Sequence, residues 1–195
     1  GSVAVVNAGG KLLWSAGDPG FMTFTRSALK AFQALPFMLS DGPARFGLTR
    51  AELALLCASH SGEEMHLRGV RSILAKIGLD ESHLECGCAV PLYYEAAGEP
   101  VPPERSWTPL HHNCSGKHSG FLMLNRHLGG GSEYGEVDHP VQKAVRAAFE
   151  EMCGMAAPGW GVDGCSAPNF ATTVHGLAHA MARMADPRGL GRARG

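Results

Sequence analysis

Leu67, Val70, Leu74 and Ile77 recur at i, i+3, i+7 and i+10, and Gly78 follows where a left-handed residue would end the run. A strand cannot put that spacing on one face, so the segment is read as an amphipathic helix. Val141, Val145, Phe149 and Met152 repeat the pattern behind Asp138, the expected cap of another helix. Such stripes must pack on a shared core, which 195 residues at 45% hydrophobic content can build as one compact or two-lobed unit.

Helices are not the whole chain. "VAVVNAGGKLLWSAG" sets two short apolar runs around Asn7-Ala8-Gly9-Gly10, whose Asn and glycines supply the positive φ angles of a hairpin. Leu29, Phe32 and Leu35 keep a helical period until Pro36 and Gly42 disturb it. Thr49 and Glu52 form a capping box ahead of a short helix that buries Leu53, Leu56 and Cys57 and ends near Ser59. From Cys86 to Thr108 the Pro, Gly and Glu content predicts a loop or irregular crossover. "KHSGFLMLNRHLGGG" predicts an apolar helix stopped by glycines, and "GVDGCSAPNF" a turn before a last helix reaching about Met184. The tail from Asp186 runs out in Gly and Arg without a closing element.

Seventeen Lys and Arg against eighteen Asp and Glu give a formal charge of -1, with no basic run interleaved with aromatics. Nucleic acid is excluded as a partner on that footing, and a small molecule is expected. The longest apolar stretches fall far short of a bilayer span, so no membrane partner is expected. Cysteines at 57, 86, 88, 114, 153 and 165 are spread as core thiols and metal ligands are, which favours a reducing cytoplasm. Cys57 and Cys153 are expected on buried helix faces.

Chemistry is concentrated in a few short stretches. In "TRSALKAF", Ser27 and Lys30 sit three apart, within reach of one another on a helix, and a serine near neutral pH needs such a base. The pattern alone does not decide, since S-x-x-K is expected roughly once in a chain of this size. Arg26 is placed to lower the lysine's pKa or to clamp a substrate carboxylate. "CASHSGE" ends a helix in Ser59, His60, Ser61 and Gly62, which suits a substrate-facing turn or an ordinary helix end. "HHNCSGKH" puts Cys114, Lys117 and His118 on one helical face, and Cys165 in "VDGCSAP" offers a second thiol beside Asp163. Two thiolates with nitrogen donors suit zinc, while a Cys114/His118 nucleophile pair is the competing reading. His175 and His179 lack an acidic partner at metalloprotease spacing and are read as surface or core histidines. Cys86-x-Cys88 is given no role.

Taken in order, "RSALKAFQALP", "CASHSGE", "LECG", "NCSGKHSG", "DHPVQ" and "WGVDGCSAPNFA" resemble the successive motifs of the Rhizobium-type L-asparaginases, the asparaginase II family. The likeness runs from about Val3 to Met184. It implies an enzyme that converts L-asparagine and water to L-aspartate and ammonia, and a homodimer. It also implies an α+β (α/β) fold like that of serine β-lactamases and glutaminases, a mainly antiparallel sheet flanked by helices plus a helical lobe. By motif, Ser27 and Lys30 match the family's first Ser-Lys couple and Ser59 its second serine. Cys114, Lys117 and Cys165 match a zinc site, with Asp163 in support; Arg26, His60 and Asp163 are the expected substrate contacts. Two positions depart: His112 stands where Asn is usual, and Cys88 where Pro is usual. Residues 1–195 read as one catalytic region incomplete at both ends, the second serine's lysine lying past Gly195. A truncated, inactive zinc- or amino-acid-binding fragment is the alternative. Penicillin-type recognition ranks last, since the chain lacks a clear S-D-N and K-T-G.

Overall fold

The computed structural model describes residues 1–186. The expected hairpin is present: β1 (Val3–Val6) pairs antiparallel with β2 (Leu12–Ala16), and Gly10 turns the chain at φ 80. β3 (Met22–Phe24) follows, then a 3-10 turn (Arg26–Leu29) that runs straight into α1 (Lys30–Met38). Pro36 does not stop α1, because it falls in the last turn, where Leu39 N–H still reaches the Leu35 carbonyl. α2 (Gly42–Arg45) is one short turn. α3 (Arg50–Cys57) and α4 (Glu64–Ala75) come next, and Gly78, at φ 70, takes the left-handed conformation expected of it.

Within the stretch read as loop lies a short helix, α5 (Leu92–Ala97), which has too few turns to show a period. α6 (Ser115–Leu128) is the central helix: every residue from Ser115 to Leu124 is buried. α7 (Pro140–Cys153) is capped by His139, one residue after the expected Asp138, through its Nδ1 accepting the Val141 N–H at 3.1 Å. The segment read as a plain turn is a hairpin, β4 (Trp160–Val162) and β5 (Pro168–Thr173), ahead of α8 (Val174–Ala185). The Gly- and Arg-rich tail lies outside the described residues.

The fold is α+β. Its strands are antiparallel as expected, but among the described residues they form two small sheets: β1-β2, and β3-β5-β4 with Met22 opposite Thr173 and Trp160 opposite Phe170. β5 is buried along almost its whole length, so it lacks the alternation that marks a half-exposed strand. Phe170 on β5, Phe149 on α7 and Phe32 on α1 join sheet to helices through ring contacts at 6.3–6.4 Å. His175 holds the first hairpin to α8 by its Nε2 contact with the Gly10 carbonyl at 2.8 Å. Cys153 is buried as expected; Cys57 is exposed, because Leu56 takes the inward position at the end of α3.

α3 is fixed at its start by Glu52. Its carboxylate accepts from Thr49 N–H (2.7 Å), Ser72 Oγ (2.8 Å) and Lys76 Nζ (2.6 Å), tying the capping box to α4. Burial alone would raise its pKa, but the hydrogen bonds from Lys76, Thr49 and Ser72 outweigh it and bring it from 4.5 to about 2. A carboxyl depressed in the fold stabilises at pH above its unfolded value, here on the order of 3 kcal/mol. That contribution fades as pH falls from 4.5 toward 2. Glu52→Gln is therefore expected to lower unfolding stability at pH 7 by about 2–3 kcal/mol. In urea titrations the gap from wild type should narrow steadily below pH 4.5; a gap that does not change with pH would contradict this assignment.

Candidate active site

Lys30 opens α1 and turns its side chain into the protein, where it is 2% exposed. Three oxygens receive it: Ser59 Oγ at 2.6 Å, the Ala58 carbonyl at 3.0 Å and the Asn113 carbonyl at 3.4 Å. Burial lowers its pKa below the ordinary lysine value; Cys114 works in the opposite direction, and the charge of Lys117 adds to the lowering. Ser59 is exposed just past the end of α3. The site thus has an accessible alcohol backed by a buried amine.

The expected Ser27–Lys30 hydrogen bond is absent. Ser27 is exposed on the 3-10 turn, and its link to Lys30 is through the main chain, Lys30 N–H to the Ser27 carbonyl. The lysine points inward to three acceptors drawn from α3 and the lead into α6, and Ser27 stays on the outer side of the turn. Arg26 just before it has φ 48, a conformation that costs a non-glycine residue about 1–2 kcal/mol. Its Nε and Nη2 each lie 3.1 Å from Asp163 Oδ1, with the arginine side chain 71% exposed and the aspartate 13%. Burial opposes ionisation of Asp163, but the Gly164 N–H and Arg26 prevail and hold its pKa below the usual carboxylate range. Arg26 and Asp163, both expected at the substrate, therefore stand together.

Asp163 opens the tight turn between β4 and β5, closed by Asp163 N–H to the Ala167 carbonyl and Ser166 N–H to the Asp163 carbonyl, both 2.9 Å. Cys165 lies in that turn and is buried, as is Cys114 directly before α6. Lys117 Nζ donates to Cys165 Sγ at 2.9 Å. The hydrogen bond with Cys165, helped by Lys117 and Lys30 and opposed by burial, brings Cys114 down to about 6, so the pair readily shares one thiolate. Burial pushes Cys86 up to about 12, and its thiol is committed to the Pro109 carbonyl at 3.5 Å. Among the described residues, no group of three or more His, Cys, Asp or Glu side chains is placed to hold a metal ion. The two thiols become a three-donor set only with Lys117.

His60 is buried and uses both ring nitrogens within the protein. Nδ1 accepts the Gly62 N–H at 3.1 Å, and Nε2 meets Ser115 Oγ at 2.7 Å, which itself donates to the Leu110 carbonyl. Burial, helped by the neighbouring His66 and Lys30, lowers its pKa to about 4, so it is neutral. As the residue next to Ser59, it anchors that turn to Gly62 and Ser115. The Ala58 and Asn113 carbonyls, on which Lys30 depends, carry no signal in a sequence, because every residue has one. Tyr134, which meets His118 at 2.9 Å, stands alone in a polar stretch and was equally silent.

α3 and α6 approach closely enough to join these parts because of glycines. A Cβ on Gly116 would overlap the Leu55 carbonyl oxygen, and one on Gly120 would press on Leu56. Any side chain at 116 must push the end of α3, with Ser59, away from α6. Gly116→Ala is expected to cost about 1–3 kcal/mol and to loosen the Lys30–Ser59 contact. A wild-type melting curve together with an unchanged position of Ser59 in the variant's crystal structure would refute this.

A buried amine against an accessible alcohol is an arrangement in which a hydroxyl can be activated as a nucleophile. The family comparison narrows this. The L-asparaginase II family model matches residues 1–194, nearly the whole chain, and the chain belongs to that family. Membership supports an asparaginase-type amidohydrolase acting on a small-molecule substrate. No curated protein matches the chain. Among the described residues, no helix is long and apolar enough to cross a membrane.

Proposed function

We propose that this protein hydrolyses L-asparagine to L-aspartate and ammonia, with Ser59 as nucleophile and Lys30 as its base. The observation that carries the reading is the 2.6 Å contact between Lys30 Nζ and Ser59 Oγ. A neutral Lys30 takes the hydroxyl proton as the oxygen attacks the amide carbon, then gives it to the departing ammonia. Water, deprotonated by the same amine, releases aspartate from the ester. Arg26 binds the substrate carboxylate and Asp163 its ammonium group; the strain at Arg26 supports a role for that turn. Ser27, exposed beside Arg26, serves this binding side of the site. The serine β-lactamase and glutaminase type of scaffold is part of the same proposal, supported by the S-x-x-K turn leading into a helix. Six free thiols support a cytoplasmic location, and the family resemblance supports a homodimer.

Cys114, Cys165 and Lys117 are the residues that would hold zinc. The donor chemistry fits: a thiol pair with one proton readily lost, and an amine already against one sulfur. When bound, zinc supplies positive charge that orients the substrate, with no part in generating a hydroxide. All proton transfers in this scheme belong to Lys30.

Ammonia release from L-asparagine tests the reading. Ser59→Ala and Lys30→Met are each expected to lose at least about a thousandfold in kcat, while Ser27→Ala keeps measurable turnover at a raised KM. A silent Ser27→Ala beside an active Ser59→Ala would exchange the two serines' roles. A wild type that binds zinc or asparagine yet releases no ammonia would leave the binding-fragment reading instead.

A further inference from the structure

His118 is wholly buried, and its two ring nitrogens are treated differently. Nδ1 lies 2.9 Å from Tyr134 Oη. Nε2 is buried with no hydrogen-bond partner, and Cys165 is near enough to the ring to raise its pKa against the stronger effect of burial. A buried histidine with one nitrogen held and the other free beside a thiol has two possible uses. Deprotonated, that nitrogen would be a metal ligand; protonated, it would be a donor to sulfur.

Tyr134 decides between them. Its ring is 1% exposed, lying 5.6 Å from the His118 ring and 6.2 Å from that of Phe121. Its oxygen accepts the Glu85 N–H at 2.7 Å, which uses a lone pair and leaves the hydroxyl hydrogen in need of an acceptor. Among the described residues, the acceptor within reach is His118 Nδ1. If Nδ1 carried the proton, the tyrosine hydrogen would be buried unpaired, at about 1–3 kcal/mol. The lower-energy arrangement puts the tyrosine hydrogen on Nδ1 and the imidazole proton on Nε2. Tyr134 is itself held in place: Gln142 Nε2 donates to its carbonyl at 2.9 Å, and Gly135 N–H donates to Glu85 Oε2 at 3.0 Å.

We propose that His118 is a positioning residue, set by Tyr134 as the Nε2–H tautomer, with that N–H directed at the Cys165 sulfur. It is not a metal ligand. Lys117 already donates to that sulfur at 2.9 Å, and a second N–H directed at it would fix its direction before any ion arrives. The proposal extends the zinc reading above, but its core, the tautomer, stands apart from any metal.

Long-range proton–nitrogen NMR on metal-free protein with 15N-labelled histidine tests the tautomer directly. His118 is expected to show a bare Nδ1 and a proton-bearing Nε2, and Tyr134→Phe should shift it toward Nδ1–H. A proton on Nδ1 in the wild type, or a tautomer indifferent to Tyr134→Phe, would overturn the proposal. Cobalt(II), read by its thiolate charge-transfer band, then measures the consequence. His118→Gln keeps an N–H near the Nε2 position and should hold cobalt close to wild-type affinity. His118→Leu should lose about 10–100-fold. Equal affinities for His118→Leu and wild type, with both folded by circular dichroism, would overturn it; so would a His118→Gln as weak as His118→Leu. Should the wild type take up no cobalt, the zinc reading falls, and the NMR result alone decides the role of His118.

Discussion

A lysine amine removed from water is among the costliest groups a protein can bury, and this fold is arranged around one. Lys30 reaches the interior because three oxygens from two other segments converge on it: Ala58 and Ser59 beyond α3, and Asn113 ahead of α6. Losing any one of these segments would leave the amine short of acceptors, so α1, α3 and α6 are tied to one another by a polar group. Close helix packing makes the convergence possible. Gly116 and Gly120 let α6 come against Leu55 and Leu56, and the same approach brings the end of α3 within reach of Lys30.

The thiols balance the charges. The charge of Lys117 disfavours the ammonium form of Lys30, while Cys114 and Cys165 work in the opposite direction. Two amines and two thiols thus lie buried close together, with Lys117 against Cys165. Around this network lie groups that are neutral and fully engaged. His60 is locked between Gly62 and Ser115, and Cys86 is kept protonated by burial.

Much of this was legible before any coordinates. The capping box at Thr49 and Glu52, the hairpin at Asn7 to Gly10 and the long helical stripes follow from local spacing, and local spacing is what a sequence records. Short or wholly buried elements were not legible: β5, with Asn169, Thr172 and Thr173 among its six residues, shows no apolar alternation, and α5 is too brief to show a period. The site divides in the same way. Cys114, Lys117 and Cys165 were assembled by resemblance across fifty residues, and the structure brings Lys117 onto Cys165. The Ser27–Lys30 couple was inferred from neighbours on one helix, whereas the lysine found its alcohol at Ser59, twenty-nine residues away. Sequence distance gave no hint of that pairing, because it depends on where α3 ends relative to α1.

That pairing is the centre of the account, and covalent trapping examines it most directly. The protein would be reacted with an electrophilic asparagine analogue bearing a diazoketone in place of the amide, digested, and its peptides mapped by mass spectrometry. The adduct is predicted on Ser59 and should disappear in Lys30→Met. An adduct on Ser27, or one on Ser59 that forms as fast without the lysine, would contradict it.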